Sequence, residues 1–158
     1  MFDSGARAEK FINIRFEDIH LPAGKENLVK LTLKEEYSKA KGRTISLYWR
    51  HSLEAVKEYV NERIELGIKS QDPVFRGTYD AMRMFLKRVG AERLTRSVHT
   101  HLFRRSSATH YGTKLNRQEL CYRYGWKFSS NMPDVYISRA GMENGSWMRS
   151  SPTLSWPA

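Results

Sequence analysis

Apolar and polar residues alternate through the segment NLVKLTLK, Asn27 to Lys34, with Val29, Leu31 and Leu33 on one face and Leu28, Lys30 and Thr32 on the other. A period of two predicts a half-buried strand. The β-branched run RTISLY, beginning at Arg43, predicts a second strand, and the two form a hairpin with Gly42 near its turn. Upstream, a short helical piece around Arg7 to Ile14 leads into the alternating IRFEDIHL and a Pro-Ala-Gly turn. Beyond the hairpin the period changes. Leu53, Val56, Tyr59, Val60, Ile64 and Ile68 recur at three- and four-residue intervals, predicting one long amphipathic helix that ends near Gly67. QDPVFRGT reads as a loop, Met82, Phe85, Leu86 and Val89 mark a helix that stops at Gly90, and HTHLFRR starts another that runs to about Lys114. Asn116 is a candidate N-cap for NRQELCYRYG, and Asn131 or Pro133 opens a final turn carrying Tyr136. From 141 to 158 the composition shifts to Gly, Ser, Met, Trp and Pro without periodicity, which predicts a flexible tail, with Trp147 and Trp156 as anchors if a partner orders it. The pattern describes an α+β domain over residues 1–140, mainly helical, with a small antiparallel three-stranded sheet beside the Arg7 helix.

Charge narrows the partner. Twenty-seven Lys and Arg against 17 Asp and Glu leave a formal net charge of +10 over 158 residues, and a polyanion is the natural counterpart. Nucleic acid is favoured over a membrane surface, because no long apolar run exists and the basic residues are spread along the chain. The single cysteine, Cys121, excludes an internal disulfide framework and sits in an apolar, aromatic run as a small core residue. MFDSGARAEKF resembles neither a signal nor a transit peptide, so the expected location is the cytoplasm.

The most informative stretch is HTHLFRRSSATHY. His101 and Arg104 are three apart and share one helical face, where both can meet one phosphate. Further on, YGWKFSSNMPDVYI supplies Gly125-Trp126 and then Tyr136. This H-x-x-R helix, Gly-Trp turn and following tyrosine together resemble the tyrosine recombinase (phage integrase) family, its archaeal-type members in particular. The resemblance implies the DNA breaking-rejoining enzyme fold and a set of roles. Arg7, in Gly5-Ala6-Arg7, and Arg104 would clamp a DNA phosphate; His101 would hydrogen-bond it or accept the tyrosine proton; Trp126 would donate its indole N–H or pack beneath the tyrosine; and Tyr136 would be the nucleophile. Tyr111, Tyr122 and Tyr124 read as packing residues instead.

The chemistry suits these residue types. A phenol is a poor nucleophile near neutrality, so attack on a phosphodiester needs fixed positive charge to stabilise the phosphorane, and a guanidinium holds two oxygens in a fork. The leaving 5′ oxygen benefits from a general acid. Relatives place a lysine for that purpose in a hairpin turn, where YSKAKGRTISL presents Lys39, the better match, and Lys41. Lys41, Arg43 and Arg105 are candidate DNA contacts, Arg105 standing where many relatives have histidine. The family also carries an acidic residue three positions after its first arginine. Here that position is Lys10, and the acid, Glu9, falls one residue early.

The resemblance therefore implies transesterification through a 3′ phosphotyrosine, without metal, cofactor or ATP. It implies a double-stranded DNA partner and self-association into a tetramer on two duplexes. It spans residues 1–140 and starts at the first arginine helix, as an amino-terminally truncated catalytic domain without the core-binding domain would, so that a partner would supply the missing clamp. Site-specific recombination is the expected activity. Topoisomerase IB-like strand relaxation and a noncatalytic DNA-binding remnant of an integrase are the alternatives. A mobile element, a virus or a nucleoid-associated setting fits such a protein.

Overall fold

The computed structural model describes residues 1–22, 27–37 and 42–150. The chain divides into two compact units, residues 1–107 and 108–158, with the division inside one helix.

The first unit opens with a turn held by buried polar groups. Asp3 and Ser4 are each 2% exposed. The Asp3 carboxylate accepts hydrogen bonds from the backbone N–H groups of Tyr48 (2.8 Å) and Trp49 (2.9 Å), tying the start of the chain to a junction 45 residues later. Gly5 lies at φ +58°, a left-handed conformation in which a side chain is strained. Helix α1 (Ala8–Ile12) follows, its first hydrogen bond accepted by the Arg7 carbonyl from the Phe11 N–H at 2.9 Å. A 3₁₀ turn (Phe16–Asp18) then leads into β1 (Ile19–His20), β2 (Lys30–Leu33) and β3 (Arg43–Ser46). These three form an antiparallel sheet in the order β1-β2-β3, with Leu31 opposite both Ile19 and Ile45, and Leu33 opposite Arg43. The alternation predicts the faces correctly: Val29, Leu31 and Leu33 are buried, whereas Lys30 and Thr32 are half-exposed. Only the pleat can produce this pattern, since successive side chains leave opposite faces.

Helix α2 (Arg50–Glu65) ends just before Gly67, which sits at φ +73°. The loop after it pairs back onto the first strand-like segment, the Val74 N–H donating to the Ile14 carbonyl at 2.9 Å. Tyr59 fixes the same loop by donating its hydroxyl to the Val74 carbonyl at 2.7 Å. Ile14, Phe16, Leu31, Leu33, Ile45, Val60 and Val74 form the core that results.

Helix α3 (Tyr79–Leu94) corrects one expectation. Gly90 does not stop it; the helix continues one more turn to Leu94 and ends at Thr95 in the left-handed conformation. Gly90 is instead a contact point. A Cβ there would lie 2.6 Å from Val98 Cγ2 and 2.9 Å from the Arg96 carbonyl oxygen, so the returning chain needs the missing side chain. Helix α4 (Thr100–Gly112) spans the division between the units.

The second unit contains the end of α4, then α5 (Arg117–Tyr124) and α6 (Met132–Ser150). Asn116 caps α5 as expected, its Oδ1 accepting from the Glu119 N–H at 2.9 Å while the Glu119 carboxylate accepts from the Asn116 N–H at 2.8 Å. Leu120 and Tyr124 are fully buried, Tyr111 nearly so, and Cys121 is 1% exposed. Tyr122 departs from its expected packing role and is 54% exposed. The expected final turn is the start of a long helix, and α6 runs through 141–150, where the sequence reading places a flexible tail. No helix among the described residues is long and apolar enough to cross a membrane.

Candidate active site

In the first unit, Arg7 is exposed at the mouth of α1, and Arg104 is buried in α4 at 9% exposure. One of the Arg104 guanidinium nitrogens, Nη1, donates to the Gly5 carbonyl, 99 residues away in sequence. The helix bearing one candidate arginine therefore grips the backbone that presents the other. Gly5 serves this arrangement through its left-handed φ, which the Asp3-tethered turn sets.

His101 and Arg105 both lie on the exposed side of α4, while Arg104 points inward. The spacing of three brings His101 and Arg104 to adjacent turns, and burial separates their environments. Arg43 is 6% exposed on β3, placing it inside the unit and not on an open DNA-facing surface. Lys39 and Lys41 lie outside the described residues.

Lys10 is the residue whose importance sequence reasoning misses. It is 2% exposed, while Glu9 is on the surface. The displaced acid thus does not take the inward place; the lysine does. Burial, together with the positive charges of Arg43, Arg7 and Arg104, lowers its pKa to about 8, against a smaller upward pull from Glu35. Arg104 reaches the Gly5 carbonyl two residues before Arg7, and the charges of Arg7, Arg43 and Arg104 all bear on Lys10. The signal was present in the sequence, since Lys10 stands three after Arg7, but spacing alone does not say which of two adjacent residues turns inward.

In the second unit, Gly125 ends α5 at φ +61°, and the Trp126 N–H donates back to the Cys121 carbonyl at 2.9 Å. This left-handed cap reverses the chain and fixes the indole. Trp126 stacks on Tyr136 with ring centroids 5.5 Å apart and planes only 4° from parallel, and on the buried Tyr124 at 4.8 Å. The three rings form a continuous stack, in which both Trp126 and Tyr136 remain half-exposed.

Two further residues hold Tyr136 in place. A Cβ on Gly112 would lie 2.8 Å from the Tyr136 carbonyl oxygen and 3.1 Å from its carbonyl carbon, so α4 and α6 meet backbone to side-chain-free backbone. Arg117 donates from Nη1 to the Phe128 carbonyl (2.7 Å) and from Nη2 to the Ser130 carbonyl (2.6 Å), with Nε 3.3 Å from Asp134 Oδ1, fastening the α5–α6 loop to the first turn of α6. No sequence motif marks either position. Gly112→Ala is expected to destabilise the protein by about 1–3 kcal/mol through overpacking and to shift the Tyr136 ring. Thermal unfolding measures the first effect and the Trp126 fluorescence spectrum the second. An unchanged melting temperature would show that α6 yields freely.

Among solved structures, the chain is similar to that of XerA recombinase, with a TM-score of 0.67, 16% identity, and 95% of this chain covered against 56% of that one. It is also similar to XerH site-specific recombinase bound to a palindromic difH substrate after cleavage, with a TM-score of 0.69 and 19% identity. The XerH complex before cleavage gives 0.65 and 21%. The two XerH matches cover 94% and 92% of this chain and 42% of theirs. The chain has the fold of part of these recombinase structures. This chain spans about half the length of the structures it matches. No protein-family model matches the sequence, and no curated protein sequence matches it. In this fold the helical frame and small three-stranded sheet carry the described candidates in two groups: Arg7, Arg43, His101, Arg104 and Arg105, with Lys10, in the first unit, and Trp126 with Tyr136 in the second.

Proposed function

We propose that this chain carries out the strand-transfer chemistry of a site-specific DNA recombinase. Arg7 and Arg104 hold a DNA phosphodiester. The Tyr136 phenolic oxygen attacks the phosphorus as its proton passes to a base, for which His101 is the candidate. The bond to the 5′ oxygen breaks, leaving a 3′ phosphotyrosyl link and a 5′ hydroxyl once that oxygen is protonated; Lys39 or Lys41 is the candidate donor. Attack by a 5′ hydroxyl from another duplex reverses the chemistry and exchanges strands. The phosphotyrosyl link conserves the energy of the broken diester, so no nucleotide cofactor is required.

One observation supports this reading most directly: Arg104 bonds the Gly5 carbonyl, two residues before Arg7, so the segments bearing the two candidate arginines are joined by a hydrogen bond. The stack of Trp126 on Tyr136 adds to it by restricting the tyrosine ring. The reading extends to the archaeal-type integrases, to a tetramer on two duplexes, to a separate DNA clamp and to a mobile-element or nucleoid-associated setting, all on the strength of the sequence resemblance.

The test is incubation with nicked suicide substrates, in which the released end diffuses away, using pooled random duplexes alongside supercoiled plasmid. A denaturing gel then detects the protein–DNA adduct. Wild type is expected to form it and Tyr136→Phe to lose it. Salt-sensitive DNA binding without an adduct in either protein would favour the noncatalytic remnant, and plasmid relaxation without strand exchange would favour the topoisomerase-like outcome.

A further inference from the structure

The first unit concentrates positive charge around a group that the reaction above does not use. Lys10 is 2% exposed, and its ammonium has no hydrogen-bond partner among the described residues. Arg43 from β3, Arg7 ahead of α1 and Arg104 from α4 are the positive charges that bear on it, and Glu35, in the exposed 3₁₀ turn after β2, is the acidic one. A lysine that merely fills space ordinarily avoids such a position, because its flexible stem lets the ammonium reach solvent. An inward ammonium among guanidinium groups is unfavourable by both desolvation and like-charge repulsion. What it supplies is a compact charge with three N–H donors, whereas guanidinium groups supply planar forks. Together these are complementary to the oxygens of a phosphoryl group.

We propose that Lys10 is a direct phosphate ligand of this cation cluster and that it selects phosphoryl groups bearing two negative charges over the singly charged diester. The inference rests on the phosphate-binding role proposed for Arg7 and Arg104. Its consequence for the reaction follows from charge. A phenolate attacking a monoanionic diester produces a phosphorane with a second negative charge, so an added cation favours the transition state over bound DNA, which is the kind of discrimination that accelerates a reaction. Lys10 would also favour a terminal phosphate on a DNA end for the same reason.

Calorimetric titration of the full chain with inorganic phosphate and with dimethyl phosphate separates two charges from one at about pH 7.5, where a phosphate with its second pKa near neutrality is largely doubly charged. Wild type is expected to prefer inorganic phosphate. Lys10→Met is expected to weaken inorganic phosphate binding by about tenfold or more and to lose most of the preference, while Lys10→Arg keeps much of it. Wild-type phosphate affinity in Lys10→Met would overturn the proposal. A second measurement needs no variant. In wild type the Lys10 13Cε resonance, followed by NMR through a pH titration, is expected to show a midpoint near 8 that moves upward when phosphate is added, since an anion stabilises the charged form. A midpoint unmoved by saturating phosphate would also overturn it. If wild type forms the DNA adduct but phosphate binding is indifferent to Lys10, this inference fails and the recombinase reading stands. If phosphate binding depends on Lys10 and no adduct forms, the reverse holds.

Discussion

Arg104→Lys is expected to lower the rate of covalent adduct formation on a nicked DNA substrate by about a hundred- to a thousandfold, the range for removing one preorganised donor to a developing oxyanion. DNA binding should fall far less, because the net charge is unchanged and most of the backbone attraction comes from elsewhere on a chain of formal charge +10. The reason lies in geometry. Arg104 donates one guanidinium N–H to the Gly5 carbonyl, and the planar guanidinium holds all its N–H groups in a fixed fork. A lysine ammonium is shorter and cannot hold the Gly5 carbonyl and two phosphate oxygens together. The same substitution leaves the Gly5 carbonyl without its donor, which adds a stability loss of about 1–2 kcal/mol and loosens the segment presenting Arg7. Pre-steady-state gel assays measure the rate, and denaturant unfolding measures the stability. Wild-type cleavage by Arg104→Lys would remove Arg104 from the proposed chemistry altogether.

Trp126→Ala is expected to destabilise the protein by roughly 3 kcal/mol, at the lower end for a large aromatic because the indole is half-exposed. It removes the middle ring of the Tyr124–Trp126–Tyr136 stack and leaves the Tyr136 ring without the parallel surface that restricts it. Adduct formation should fall with it, since the reacting oxygen samples more orientations. Trp126→Phe separates the two proposed roles of the indole. Phenylalanine keeps an aromatic face for stacking and lacks the N–H. Recovery of both stability and adduct rate in Trp126→Phe would assign Trp126 to packing alone; recovery of stability without rate would assign its N–H to the phosphate. Chemical denaturation and the suicide-substrate assay give the two readouts on the same preparations.

Local order was legible in the sequence wherever one physical rule dominates. The period of two marked β2 and its buried face, because a pleated strand permits no other outcome once one side meets a core. Asn116 announced a capped helix, since its amide satisfies a backbone N–H that has no partner inside the helix. Gly125 before Trp126 marked a turn, which is a left-handed helix end, and the order of Arg7, Arg104, Trp126 and Tyr136 along the chain suggested the recombinase fold. The same local logic misread Gly90. A glycine in a helical pattern resembles a terminator, yet what decides its role is Val98 pressing on it from beyond the helix end, and no rule of spacing contains that contact.

Inward and outward choices belonged to the tertiary structure. Glu9 and Lys10 are neighbours with similar helix propensity, and the sequence leaves open which faces the interior; packing of α1 against the unit turned the lysine in, among three arginines. Arg43 looked like a surface contact and became buried because β3 pairs Arg43 with Leu33 on the core-facing side of the sheet. Gly112 and Arg117 carry no motif, and only the approach of α6 to within 2.8 Å of where a Gly112 Cβ would stand makes them the residues that seat Tyr136. The sequence by itself determined the element types as far as α5, the sheet's buried face, the basic character of the chain and the ordered set of candidate groups, because these follow from periodicity, capping and composition. The buried cation cluster around Lys10, the grip of Arg104 on the Gly5 backbone and the Trp126–Tyr136 stack were decided only by folding, because each joins residues whose proximity depends on how separate elements pack.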